Sequence, residues 1–118
     1  MNEKKQQRKW VREEVVILVT EYFKNKNLSR DEIDESYHRT SEFLRRREEI
    51  ITGKPVSDIF RNYAGIRMQS GRIQCLDPET ELEGMQGTRL QKEVVEEFLD
   101  NPNVLYDEAE CIYKKYSE

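Results

Sequence analysis

Breakers set the frame for this chain. Thr52-Gly53-Lys54-Pro55, Asp77-Pro78 and Asn101-Pro102-Asn103 each set proline among glycine, aspartate or asparagine, residues that leave regular structure for turns. The polar Lys24–Asn27 segment adds a fourth interruption. Between these stops apolar residues recur at helical spacing, and nothing alternates with strand period over a useful length. The expected fold is all-α: a trihelical helix-turn-helix-like core with one or two additional C-terminal helices.

Taken in order, residues 1–9 read as a flexible basic arm, either disordered or laid against a nucleic-acid groove, and residues 10–118 as one helical domain. Trp10 reads as a core anchor rather than a platform for a base. Val15, Leu18, Val19, Tyr22 and Phe23 predict a first helix over Arg12–Asn25, with Glu13 and Glu14 in the turn where the helix dipole favours acids. Ser29 and Glu32 fit a capping box, so a second helix starts there and runs to about Arg47 or Ile51 on the stripe Ile33, Tyr37, Thr40, Leu44. Asn62 is the expected N-cap of a third helix ending near Cys75. Ile66, Ile73 and either Met68 or Gln69 share one face of it. Gly65 and Gly71 each cost about 0.8–1 kcal/mol there relative to alanine, which predicts close approach of another backbone. The core so defined spans 10–76, a loop follows over 77–89, and helices over Gln91–Leu99 and Pro102–Tyr116 fill the segment 90–118.

Charge decides more by its distribution than by its total. The net charge of −4 argues against a protein that coats nucleic acid. Residues 1–12 nevertheless hold five cations against one acid, residues 54–72 hold four against one, and residues 77–110 hold eleven acids against two cations. A bipolar molecule can turn its basic end toward phosphate. Arg45-Arg46-Arg47 is followed at once by Glu48 and Glu49 and reads as a solvated helix end.

Several chemistries are missing. No apolar run approaches the ~20 residues that cross a bilayer, and the polar start lacks a signal peptide's apolar stretch, so a cytoplasmic location with no membrane partner is expected. Cys75 and Cys111 are too few for a disulfide framework or metal knuckle. Thr52-Gly53-Lys54 lacks the glycine spacing of a phosphate loop. His38 is the one histidine, a surface residue by its charged surroundings, and the carboxylates fall mainly on solvent faces. The expectation is a chain that is not an enzyme and holds no metal or cofactor.

The order Trp10-x-Arg12-Glu13-Glu14, Phe60-Arg61-Asn62-x-x-Gly65-Ile66-x-Met68 and Leu76-Asp77-Pro78 resembles the N-terminal helical domain that precedes the nuclease in some bacterial HNH restriction endonucleases and related defence proteins. Leu90-Gln91-Lys92-Glu93-Val94-Val95-Glu96-Glu97-Phe98 continues the likeness, which covers about residues 10–112. Departures fall at Val11, where the family has threonine, and at Gln69, Ser70, Arg72 and Ile73, where it has lysine, leucine, asparagine and phenylalanine. The nuclease half is absent, so no catalytic residue is carried over. A weaker similarity to Myb/SANT domains rests on the early tryptophan, the acidic first turn and the arginine-bearing third helix.

The resemblance and the arginines of the third helix lead to one expectation, a DNA-binding module of a bacterial or phage-related restriction or defence system. Arg67, Gln69 and Arg72 are the candidates to meet base edges of double-stranded DNA, arginine matching guanine and glutamine matching adenine. Lys54, Arg61 and the basic arm are the candidates for phosphates. The alternative is a protein-interaction module that docks a nuclease or other defence protein through the acidic C-terminal helices.

Overall fold

A computed structural model describes residues 8–81 and 84–117 of the chain. Five helices form: α1 (Arg12–Asn25), α2 (Arg30–Thr52), α3 (Tyr63–Gln74), α4 (Arg89–Asp100) and α5 (Pro102–Tyr116). No strand occurs among the described residues. The predicted basic arm falls largely on residues 1–7, outside the described residues, as do 82–83 of the predicted loop.

The caps explain where the helices begin. The Ser29 hydroxyl accepts from the Glu32 N–H at 3.2 Å while the Glu32 carboxylate accepts from the Ser29 N–H at 3.0 Å, the expected box. The Asn62 side chain accepts from the Gly65 N–H at 2.8 Å and starts α3. Thr88 and Gln91 exchange the same pair of bonds at 3.0 Å each, which carries α4 back to Arg89, two residues before its predicted start. Asn101 closes α4 and opens α5, with Pro102 in the first position where its missing N–H costs nothing.

The packing departs from a core with helices appended. α1 touches all four other helices, and those four touch one another in chain order: α2 with α3, α3 with α4, α4 with α5, and α5 with α2. The first helix is thus an axle inside a closed ring. Val15, Val16, Ile17, Leu18 and Val19, five consecutive residues, are each at most 3% exposed. A helix on a surface shows an apolar stripe, whereas one apolar all round belongs in an interior. Phe23 stacks on Phe98 at 4.2 Å between ring centroids, and Phe98 meets Tyr106 edge-on at 5.3 Å. α4 and α5 complete the core, since Val94, Val95, Leu105, Ala109 and Ile112 share it with α1.

One expectation about α3 is resolved between its alternatives and another needs correction. Gln69, not Met68, joins Ile66 and Ile73 toward the interior, for Met68 is 44% exposed. The glycines admit side chains rather than a backbone. A Cβ at Gly71 would lie 3.0 Å from the Met85 sulfur, and one at Gly65 would lie 3.2 Å from the capping Asn62 oxygen. Arg47 also differs, being buried where a solvated end was expected, because its Nε donates to Glu13 at 2.9 Å.

Candidate nucleic-acid interface

The five residues singled out from sequence separate into three environments. Arg61 is buried at 3% exposure, which removes it from the phosphate contacts expected of it. Its Nε donates to Glu14 at 2.8 Å and its second terminal nitrogen donates to the other Glu14 oxygen at 3.1 Å. The guanidinium lies 4.0 Å from the Trp10 ring centroid and 4.4 Å from that of Phe60. Gln69 and Arg72 are half-buried and bonded within the fold. Gln69 accepts from the Gln91 side chain at 2.7 Å, and Arg72 donates to the Gln86 carbonyl at 2.6 Å. Only Arg67 and Lys54 of the five are exposed. Lys54 lies past the C-cap Gly53 of α2, roughly 16 Å of helix beyond Ser41, whose hydroxyl donates to the Arg61 carbonyl at 2.7 Å.

The Arg61 cluster is built from the sequence signature itself. Glu14 is wholly buried, and besides Arg61 it accepts from both terminal nitrogens of Arg8, at 3.0 and 3.1 Å, and from the Val11 N–H at 3.1 Å. The last bond is half of a capping box, and Val11 offers no acceptor for the other half. Arg8 in turn reaches Glu48 on α2. Burial alone pushes the Glu14 carboxyl up, and the hydrogen bonds from Arg61 and Arg8 more than reverse this, leaving it below the ordinary glutamate value. Arg61 adopts φ +46°, a left-handed conformation rare outside glycine, asparagine and aspartate. The clamp on its side chain and the bond to its carbonyl hold that strained backbone in place. Trp10, Glu14, Phe60 and Arg61, spread over 51 positions of sequence, therefore meet at one end of α1. The carboxylates expected on solvent faces include this wholly buried one and Asp77, which is 2% exposed and accepts from Tyr22 at 2.7 Å.

An open cleft lies between the N-terminal half of α2 and α3. It is lined by Arg30, Ile33, Asp34, Tyr37, Tyr63 and Arg67 and has a volume of about 550 Å³. Tyr63 is fixed within it. Its hydroxyl donates to Asp34, which raises the phenol above its ordinary pKa, and its ring stacks on His38 at 4.3 Å, 15° from parallel. Tyr37 meets the same ring edge-on at 6.1 Å. Arg30 and Arg67 are exposed, and neither side chain has an ion pair or hydrogen bond with another described residue. His38 is at the surface as expected, 3.7 Å from Asp34.

Sequence reasoning missed Arg30, Asp34 and Tyr37 as site residues. Arg30 was absorbed by the capping box around it and Tyr37 by the apolar stripe. The spacing Arg30, Asp34, Tyr37 at i, i+4, i+7 places all three on one face of α2, and Tyr63 and Arg67 share a face of α3 in the same way. No cluster of three metal-ligating side chains occurs among the described residues. Together the cleft offers fixed aromatic surface and unneutralised, forked positive charge, groups that bind anions and planar rings. No protein-family model, no curated protein and no solved structure matches the chain.

Proposed function

We propose that the chain is a non-catalytic DNA-binding module of a bacterial or phage-related restriction or defence system, acting in the cytoplasm, with α3 as its contact helix. The observation that carries the DNA reading is Arg67. It stands exposed on α3 without an acid partner, while Arg8, Arg12, Arg47 and Arg61 are all consumed by carboxylates. An arginine kept unpaired in a chain so rich in acids retains its charge for an outside anion. The assignment to restriction or defence rests on the sequence resemblance alone.

Pairwise packing of α1, α2 and α3 supports a helix-turn-helix-like arrangement. Residues 53–62 connect α2 to α3, a longer link than the 3–4 residues of a compact helix-turn-helix. Lys54 sits in that link and supplies a phosphate contact away from Arg67. Gln69 and Arg72 take part only by giving up their bonds to Gln91 and Gln86, so they rank below Arg67.

Fluorescence anisotropy with a labelled duplex, titrated across salt, tests this reading. Binding whose log affinity falls with log salt, with Arg67→Gln and Lys54→Gln each lowering the slope by about 0.9, is the expected result. Absence of binding at low salt sinks it. A second reading has its own observation: Leu99 and Val104 are 46% and 54% exposed near the α4–α5 corner, where Glu96, Asp100 and Asp107 are also exposed. Docking of a partner protein there predicts a complex lost in a Leu99→Lys/Val104→Lys variant and no duplex binding.

A further inference from the structure

Duplex DNA presents phosphates at its surface but keeps the faces of its bases stacked on one another. A cleft that pairs cations with an immobilised aromatic ring is better matched to a nucleotide whose base face is free. The α2–α3 cleft has this composition, and its volume of about 550 Å³ falls within the ~300–1,000 Å³ usual for small-molecule sites.

We propose that the cleft bounded by Arg30, Asp34, Tyr37, Tyr63 and Arg67 binds one nucleotide outside a paired stack, its phosphate between the two arginines and its base against Tyr63. The inference deepens the DNA reading and rests on it for the source of that nucleotide. The cations come from different helices, Arg30 from the first turn of α2 and Arg67 from the middle of α3, so they face the cleft from two walls. Forked guanidinium groups suit phosphate oxygens. Asp34, the acid of the cleft, is committed to the Tyr63 hydroxyl and lies 3.7 Å from His38. Glu32, beside Arg30, is turned back to the Ser29 N–H. Neither carboxylate neutralises the arginines.

Tyr63 is held before any ligand arrives, by Asp34 at its hydroxyl and by His38 on its ring. A ring already fixed loses little freedom on stacking with a base, which is the gain of preorganisation. Base–aromatic stacking tolerates every base because each has a flat face. The site therefore selects for an exposed base rather than for a particular sequence.

The experiment compares three ligands on the full chain: a fully paired duplex, the same duplex with one extra unpaired nucleotide, and free deoxyadenosine monophosphate followed by NMR at the arginine side chains. The expected result is about tenfold tighter binding of the duplex with the unpaired nucleotide, the scale of one base–aromatic stack. Tyr63→Leu should erase that preference, read as the ratio of the two affinities so that any loss common to both duplexes through the released Asp34 cancels. Tyr63→Phe keeps the ring but loses the bond that fixes it and occupies Asp34, so it should retain only part of the preference, and Arg30→Gln, at an exposed position, should weaken it even if Tyr63→Leu fails to fold. Equal affinity for the two duplexes, or a preference untouched by Tyr63→Leu and Arg30→Gln, overturns the cleft and leaves the DNA reading standing. If neither duplex binds, the DNA reading falls and the free nucleotide decides the cleft: shifts at Arg30 and Arg67 keep it, and their absence overturns it.

Discussion

Arg61 and Arg67 lie within two turns of one another in sequence and have opposite fates. Arg61 is swallowed at the end of the axle helix between Glu14, Trp10 and Phe60. Arg67 stands in an open cleft with no acid to answer it. The difference lies not in the arginines but in what faces them. Glu14 is wholly buried beside the Val15–Val19 run, so its charge has to be matched from within. The acid that shares its cleft, Asp34, accepts from the Tyr63 hydroxyl and makes no ion pair with Arg67. An arginine in a signature is thus as apt to hold the fold as to hold a ligand, and a partner carboxylate tells the two apart.

Stability measurements sharpen the contrast. Arg61→Ala should cost about 3–5 kcal/mol in urea unfolding, because it strands part of a buried carboxylate. Arg67→Ala should stay within about 0.5 kcal/mol of the parent, as surface changes do. Equal losses at the two positions would erase the distinction between a structural and an available arginine.

Acid unfolding probes the same cluster by another route. Glu14 sits below its ordinary carboxyl value in the fold, as do Glu13 and Asp77. For a lowered carboxyl the stabilisation is complete above the unfolded value, near 4.5 for glutamate, and is lost as pH falls through the folded one. The urea midpoint should therefore fall steeply below pH 4.5, and a Glu14→Ala variant, less stable at neutral pH, should show a shallower acid limb. An identical limb in that variant would place the titrating group elsewhere.

Asn62 lies between the two arginines in sequence and gives the next smaller effect. Asn62→Ala removes the acceptor for the Gly65 N–H and should cost about 1 kcal/mol, read as a lowered urea midpoint with unchanged slope. The smallest effect is expected at Gly71→Ala. The helix gains up to about 1 kcal/mol in propensity, offset by displacing the sulfur of the partly exposed Met85 side chain 3.0 Å away. Thermal unfolding should register a rise of a few degrees or less.

Helix positions were legible because their signals are local. The limits of α1 and α5, the Ser29 box and the Asn62 cap all follow from residues within a few positions of each other. The arrangement was less legible. Val16 and Ile17 fall off the stripe of Val15, Leu18 and Val19, yet both are fully buried, and the unbroken run of five apolar residues is the sign that this stretch of the helix has no outside. Arg61 was misjudged because its partner lies 47 residues away and no local pattern announces it. Arg47 was misjudged for the same reason, with Glu13 as its distant partner. The cleft was hidden because its residues each satisfy an ordinary helical role, and only the meeting of α2 with α3 gives them a second one.

The ring around α1 has a consequence for how the chain comes into being. Synthesis delivers the most apolar helix first and the last wall of its enclosure about ninety residues later. At ordinary rates of translation that interval is roughly 5–20 s. During it, some side of the Val15–Val19 run has nothing from its own chain to cover it. Until then a newborn α1 has only partial packing against the walls already made, and α5 is the element whose arrival completes them.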